Sequence, residues 1–348
     1  MDSAVGATDA AVLGRRVFVV THAGVVHVLD ATPSGELTLV GELRDNSGEG
    51  GASVLQGATG IAAADSALTG GTWLWVTVGS ASTLVTLHQS SSGALYVASV
   101  VKSPQLHGAA GVTVRDGIAL VASVATDQVV SVDVRDPEKP ALVAALRLSG
   151  VDHVHFPEDG LVRVASGSAR RMTLLSVSVR GGLAKFGSVK DVRLGAAGSS
   201  RARSCSPPSA PDFSVVLSDV GGTTLALVNV TDRGAPAVLQ GLSAAGTAQP
   251  GAPSQQFMDS SSAWPMGYAS LLGASALACV NGSAYVAVPS DGDGAATGHV
   301  SSISVATFDA VQDVLTHEAL LGVGVLVPAP WGLVAVAPQT GMITSLRV

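Results

Sequence analysis

The amino-acid sequence predicts an all-β chain, a seven-bladed β-propeller of four-stranded antiparallel blades with the last blade reduced to three strands. Three observations predict it. The stretch GVTVRDGIALVASVATDQVVSVDVRDPEKPALVAALRLSG, from Gly111 to Gly150, reads as four short strands separated by turns. Paler copies of one of those strands recur along the whole chain, and helical periodicity is weak throughout. A unit of about forty-five residues with four strands cannot bury both of its faces alone, so such units stack, and a closed ring is the usual solution.

Within the clearest unit the strands follow from spacing. Ile118, Leu120 and Ala122 alternate with Ala119, Val121 and Ser123, and Val130, Val132 and Val134 alternate with Val129, Ser131 and Asp133. Both sets are largely apolar, which places the sheet between two neighbours instead of against water. Asp136, Pro137, Lys139 and Pro140 then end the third strand, because proline offers no amide donor and fixes φ. The outer strand follows from Ala141 to Leu148.

The third strand can be tracked as VVHVLD at Val25, LVTLHQ at Leu84, VVSVDV at Val129, LLSVSV at Leu174, LALVNV at Leu225, ISVATF at Ile303 and ITSLRV at Ile343. The two longest intervals contain insertions near 46–57 and 247–265, and the acidic segment 291–298 lengthens one hairpin. No linker separates units that each need their neighbours, so residues 1–348 are read as a single domain.

Composition narrows the function classes. Hydrophobic residues make up 47% of the chain and charged residues 13%, with a net charge of −7. An acidic surface repels nucleic acid; Arg170 with Arg171 and Arg201 with Arg203 are small basic clusters read as solvated loops. The uncharged run Leu320 to Ala337 is broken by Pro328, Pro330 and three glycines into strand-length pieces, which argues against a transmembrane segment. The N-terminus carries Asp2 and Asp9 and no long apolar core, so no signal peptide is visible and an intracellular protein is expected.

The string VVSVDVRDPEKPALVAAL resembles the LVIVD repeat, in which a strand of that type ends in Asp, a D-P-x-x-P-like turn follows and an outer strand completes a propeller blade. LALVNVTDRGAPAVLQGL keeps Asp232 and Pro236 in the same frame, and LHGAAGVTVRDGIALVAS, from Leu106, is similar to the family's blade entry. Around Asp30 and Pro33 the turn is altered; near Arg180 and in the last two repeats it is lost. The resemblance implies a propeller and brings no common catalytic residues.

The final repeat offers Val323–Val327, Gly332–Ala337 and Met342–Val348 and then the chain stops, while only Met1 to Asp9 precede the first inner strand. Either the last blade has three strands, with an outer edge open to strand addition by a partner protein, or a segment upstream of Met1 is absent.

Candidate chemistry is sparse. Asp152, His153 and His155 lie in DHVHF, where a strand puts both imidazoles on one face and a His-x-His pair can hold a metal. His107 begins the previous blade and could join them in the axial channel. The competing reading has the imidazoles hydrogen-bonded to neighbouring strands. Cys205 and Cys279 fall at the starts of consecutive blades; they could approach each other, but buried free thiols are favoured, because two cysteines make no disulfide framework. Asn229 and Asn281 lie in sequons that matter only in a secretory protein. Asp291 and Asp293 lack the later bidentate acid of a calcium loop, and Trp73 and Trp75 are expected to pack between blades. No cofactor is predicted, with calcium or zinc as the alternative.

The favoured function is therefore a non-catalytic, protein-binding scaffold, either an interaction platform or a subunit of a larger assembly. Its alternative is a propeller enzyme of lactonase or hydrolase type with a metal in the channel; such enzymes use inward-facing acidic and Asn residues, whereas these inner strands are mostly Ala, Val and Gly.

Overall fold

The computed structural model describes residues 4–44, 53–66, 68–90, 92–157, 159–191, 194, 202–218, 224–243, 274–289, 298–305, 311–317 and 320–348. Among the described residues twenty-seven strands form seven antiparallel sheets, each a simple meander. Blade 1 holds β1 (Ala7–Leu13), β2 (Arg16–Thr21), β3 (Val25–Ala31) and β4 (Leu37–Arg44). Blade 2 holds β5 (Ala58–Asp65), β6 (Thr72–Val78), β7 (Thr83–Gln89) and β8 (Leu95–Lys102), and blade 3 β9 (Ala109–Arg115), β10 (Ile118–Ser123), β11 (Gln128–Asp133) and β12 (Ala141–Arg147). Blade 4 holds β13 (His153–His155), β14 (Val162–Ser166), β15 (Arg171–Val177) and β16 (Leu183–Lys190), and blade 5 β17 (Ala202–Cys205), β18 (Phe213–Ser218), β19 (Thr224–Asn229) and β20 (Ala237–Ser243). Blade 6 holds β21 (Ala276–Val280), β22 (Ser283–Val288), β23 (Gly298–Ser304) and β24 (Val311–His317). Blade 7 has only β25 (Val325–Ala329), β26 (Gly332–Ala337) and β27 (Met342–Leu346). Six of the seven third strands fall where the sequence places them; in blade 6 the third strand is β23, which lies earlier than the expected ISVATF and shares with it only Ile303 and Ser304.

The core is not one mass but a hydrophobic cluster in each space between consecutive blades. Ile118, Leu120 and Ala122 face blade 4, packing with Val154, Val162 and Val164, whereas Ala119 and Val121 face blade 2 and meet Trp73 and Trp75. Period-two alternation thus supplies both faces of every middle strand, which is why these strands are apolar throughout. Both tryptophans are buried in the space between blades 2 and 3, as expected from their positions.

The seven inner strands stand side by side around an axis and touch cyclically, from β1 through β5, β9, β13, β17, β21 and β25 back to β1. Near the axis side chains must shrink: a Cβ on Gly60 would come within 2.7 Å of the Gly111 Cα, and one on Gly79 within 2.6 Å of the Ala109 carbonyl oxygen. The ring closes by packing. Val17, Val19 and Leu29 of blade 1 bury against Val325, Val334 and Val336 of blade 7, and the Arg347 guanidinium donates to the Ser34 carbonyl at 2.7 Å.

The insertion near 46–57 ends in ordered chain: Leu55 is fully buried between blades 1 and 2, and Gly57 N–H donates to the His22 carbonyl at 2.8 Å. Segments 247–265 and 291–297 lie outside the described residues. Among the described residues no helix is long and apolar enough to cross a membrane.

The cysteine expectation is corrected. Cys205 on β17 and Cys279 on β21 form a disulfide, with their Cα atoms 5.6 Å apart. Neighbouring inner strands bring positions one blade apart into bridging distance, a geometry that cysteine count alone does not reveal.

Candidate functional site

The innermost strands carry few polar side chains, and most of them reach sideways to the next inner strand. Asp9 Oδ2 accepts from Ile61 N–H at 3.0 Å, joining blade 1 to blade 2. Thr59 Oγ1 donates to the Ala109 carbonyl at 2.5 Å, joining blade 2 to blade 3. Asp152 Oδ2 accepts from Gly167 N–H at 2.6 Å and from Ala202 N–H at 3.3 Å, joining blade 4 to blade 5. Ser275 Oγ donates to the Val323 carbonyl at 2.5 Å, joining blade 6 to blade 7. Inner strands of adjacent blades do not form a ladder with each other, so these latches satisfy backbone groups that would otherwise be orphaned near the axis.

The sequence-predicted residues separate into different roles. Asp152 is a latch. His153 Nδ1 accepts from Ser204 N–H at 3.3 Å, so its remaining proton resides on Nε2. His155 shares the strand but its Nε2 is buried without a hydrogen-bond partner. His107 does not join them: it is exposed, beside the Ser82 hydroxyl at 3.3 Å. Among the described residues no three His, Cys, Asp or Glu side chains converge as a metal-ligand group. The donor chemistry agrees, since Asp152 and His153 each spend an acceptor on backbone amides and the nearby Arg203 guanidinium already supplies positive charge.

Two residues of the inner strands, Asp9 and Arg203, were not singled out as site candidates in the sequence. Burial pushes the Asp9 carboxyl up to about 6, against the opposing pull of the Ile61 amide, the Arg203 charge and the Ala10 amide. Burial likewise holds His153 down to about 3, with Arg203 and His155 pressing the same way. Arg203, on blade 5, is therefore electrostatically coupled both to His153 on blade 4 and to Asp9 on blade 1. Blades 6 and 7 separate blades 5 and 1 along the ring, so the Arg203 charge acts on Asp9 from a blade that is not its neighbour. The signal that could have found Asp9 is its place as the one ionisable residue, at the third position, of the inner strand ATDAAVL.

These shifts set an acid sensitivity. His155 is held down to about 4 by burial first, then by Arg163, with Asp159 opposing. Both imidazoles thus titrate below their ordinary 6.5, so the stability they contribute is complete above that pH and is lost as pH falls toward 4 and then 3. Asp9 has the opposite sign, because its raised carboxyl relieves a burial penalty as pH falls from about 6 toward 3.8. Two groups outweigh one. The midpoint of urea unfolding is expected to drop steadily from pH 7 to pH 5, and His153→Gln with His155→Gln should flatten that slope. An unchanged slope in the double variant would place the acid sensitivity elsewhere.

No protein-family model matches the sequence, and no curated protein matches it either. Solved structures match the fold. The periplasmic gluconolactonase of Pseudomonas aeruginosa superposes with a TM-score of 0.60 at 16% identity, covering 89% of this chain and 85% of that one. A candidate 6-phosphogluconolactonase from Bacteroides uniformis ATCC 8492 gives a TM-score of 0.63 at 12% identity, over 91% and 86%. The β-propeller domain of Cps50 (Swd1) from Myceliophteria thermophila gives 0.61 at 12% identity, over 99% and 98%. At such identities the likeness establishes the propeller and nothing finer. The sequence-based preference for a non-catalytic scaffold is nonetheless corrected: lactonase propellers stand among the neighbours, and they favour the alternative reading.

Proposed function

We propose that the chain is a lactonase-type hydrolase whose reaction takes place in the axial channel. The observation that carries this reading is the coupling of Arg203 to Asp9 and His153 from three separate inner strands. A buried carboxyl poised near 6 is a general base suited to neutral pH. Above that pH the Asp9 carboxylate takes a proton from water as the water oxygen attacks the lactone carbonyl carbon. The Arg203 guanidinium stabilises the negative charge that develops on the carbonyl oxygen. The neutral His153, protonated on Nε2, hydrogen-bonds the ring oxygen as the acyl C–O bond breaks, and the proton gained by Asp9 returns to the alkoxide product. The products are a hydroxy acid and no other species, so atoms balance with one water consumed.

The disulfide fits a chain matured in an oxidising compartment, in contrast to the intracellular expectation. The likeness to the LVIVD repeat is consistent with the blade architecture. Beyond β27 no described strand pairs with blade 7, and that edge suits strand addition by a partner.

The test is hydrolysis of five- and six-membered aldonolactones, corrected for spontaneous opening and measured with and without added calcium or zinc. Catalysis should rise with pH through an apparent pKa near 6, and Asp9→Asn should lower kcat/KM by about 10²- to 10⁴-fold. No acceleration over the spontaneous rate under any of these conditions would overturn the reading.

A further inference from the structure

Outside the channel, an open pocket of about 320 Å³ is lined by Ser149, Ser168, Ala169, Arg170, Arg171 and Lys190. Three cations and two hydroxyls share this pocket, and among the described residues no carboxylate lines it. The backbone explains why they meet. The turn joining β14 to β15 places Arg170 in the left-handed region at φ +51°, and its amide donates to the Gly167 carbonyl at 2.9 Å. Asp191 N–H donates to the Arg170 carbonyl at 3.0 Å, which ties the end of β16 to the same turn. Gly150 closes the remaining side, lying so near that a Cβ there would come within 2.2 Å of the Ser168 hydroxyl.

Arg171 and Lys190 are direct cross-strand partners on β15 and β16. Like charges in that position destabilise a sheet. Elsewhere in the protein arginines find acids: Arg15 meets Asp30, Arg135 meets Asp133 and Arg163 meets Asp159. In this pocket the Nε atoms of both Arg170 and Arg171 are buried without any hydrogen-bond partner. Two arginines and a lysine lining one pocket, with no carboxylate among its described lining residues, in a protein of net charge −7, form a site organised for an anion.

We propose that this pocket binds the phosphate group of a small phosphorylated molecule. Guanidinium groups match phosphate oxygens in a bidentate manner, Lys190 adds a point charge, and the Ser149 and Ser168 hydroxyls supply neutral donors. Its volume accommodates a small phosphate monoester, and its single cluster of charge is too local for a polyanion. The site is independent of the channel chemistry and stands or falls separately from it.

Calorimetric titration with inorganic phosphate, and then with glycerol phosphate, at constant ionic strength tests this. Saturable one-to-one binding is expected, weakened about tenfold or more by Arg171→Gln and by Lys190→Gln and unchanged by Asp9→Asn. A merely structural cluster would respond differently in a second readout. Each variant relieves the Arg171–Lys190 repulsion, so its thermal midpoint without phosphate should equal or exceed that of the parent, while the phosphate-induced rise in midpoint disappears. Absent binding, or binding untouched by both variants, overturns the proposal.

Discussion

Arg163→Ala should lower the unfolding free energy by about 3–5 kcal/mol, the range found when one partner of a buried ion pair is removed. Arg163 lies on β14 with none of its surface exposed. Its guanidinium donates to Asp159 at 2.8 and 3.2 Å and to the Leu161 carbonyl at 3.1 Å, all within blade 4. It also donates to the Pro211 carbonyl in the turn between β17 and β18 of blade 5. Truncation leaves the Asp159 carboxylate without its counter-charge, two carbonyls short of a donor, and a void where the side chain lay. Lysine would not substitute, because one ammonium cannot reproduce the planar fork that serves three acceptors. Urea unfolding at pH 7 should show a lower midpoint with an unchanged denaturant slope. Arg163→Ala with Asp159→Asn should recover part of the loss, since the double variant removes the uncompensated charge. A cost under about 1 kcal/mol for the single change would show that this pair does not hold blades 4 and 5 together.

That contact illustrates what could and could not be read from the sequence. Blade number, strand order and the three-stranded last blade were legible because alternation along a strand is local and repeats seven times. Trp73 and Trp75 were placed between blades for the same reason. Contacts between blades were not legible, because they join residues separated by about one repeat. Arg163 reaches Pro211, Asp152 reaches Ala202, Asp9 reaches Ile61 and Ser131 reaches the Gly181 carbonyl. Each pair lies about fifty positions apart. A polar residue recurring on inner strands at that interval is a usable signal, and ATDAAVL in β1 carries it. His107 failed as a channel residue because it precedes its strand: it follows a short turn at Pro104–Leu106 and faces solvent on the Ser82 side. Arg170 and Arg171 were visible as a pair, but a solvated loop was the natural reading until β16 brought Lys190 opposite Arg171.

The disulfide follows the same one-repeat logic and has the second large consequence. Cys205 and Cys279 are 74 residues apart in sequence and sit on consecutive inner strands. Closing a loop of that length restricts the unfolded chain by about 4 kcal/mol in the chain-entropy treatment, and removing native disulfides typically costs about 2–5 kcal/mol. Cys205→Ala with Cys279→Ala should therefore lower stability by about 2–4 kcal/mol while leaving the propeller's circular dichroism intact, because the seven inter-blade clusters do not depend on the bond. Adding reductant to the parent protein should move its unfolding midpoint most of the way to that of the double variant, and should do nothing to the variant. Cys205 and Cys279 also pack in the cluster between blades 5 and 6 with Leu277, Val286 and Ile303, so alanine adds a packing loss that reductant alone does not. The difference between the two treatments measures that packing term. Free thiols found by alkylation of the folded, oxidised protein, together with a midpoint insensitive to reductant, would return these cysteines to the role of simple buried hydrophobes and remove the argument for an oxidising compartment.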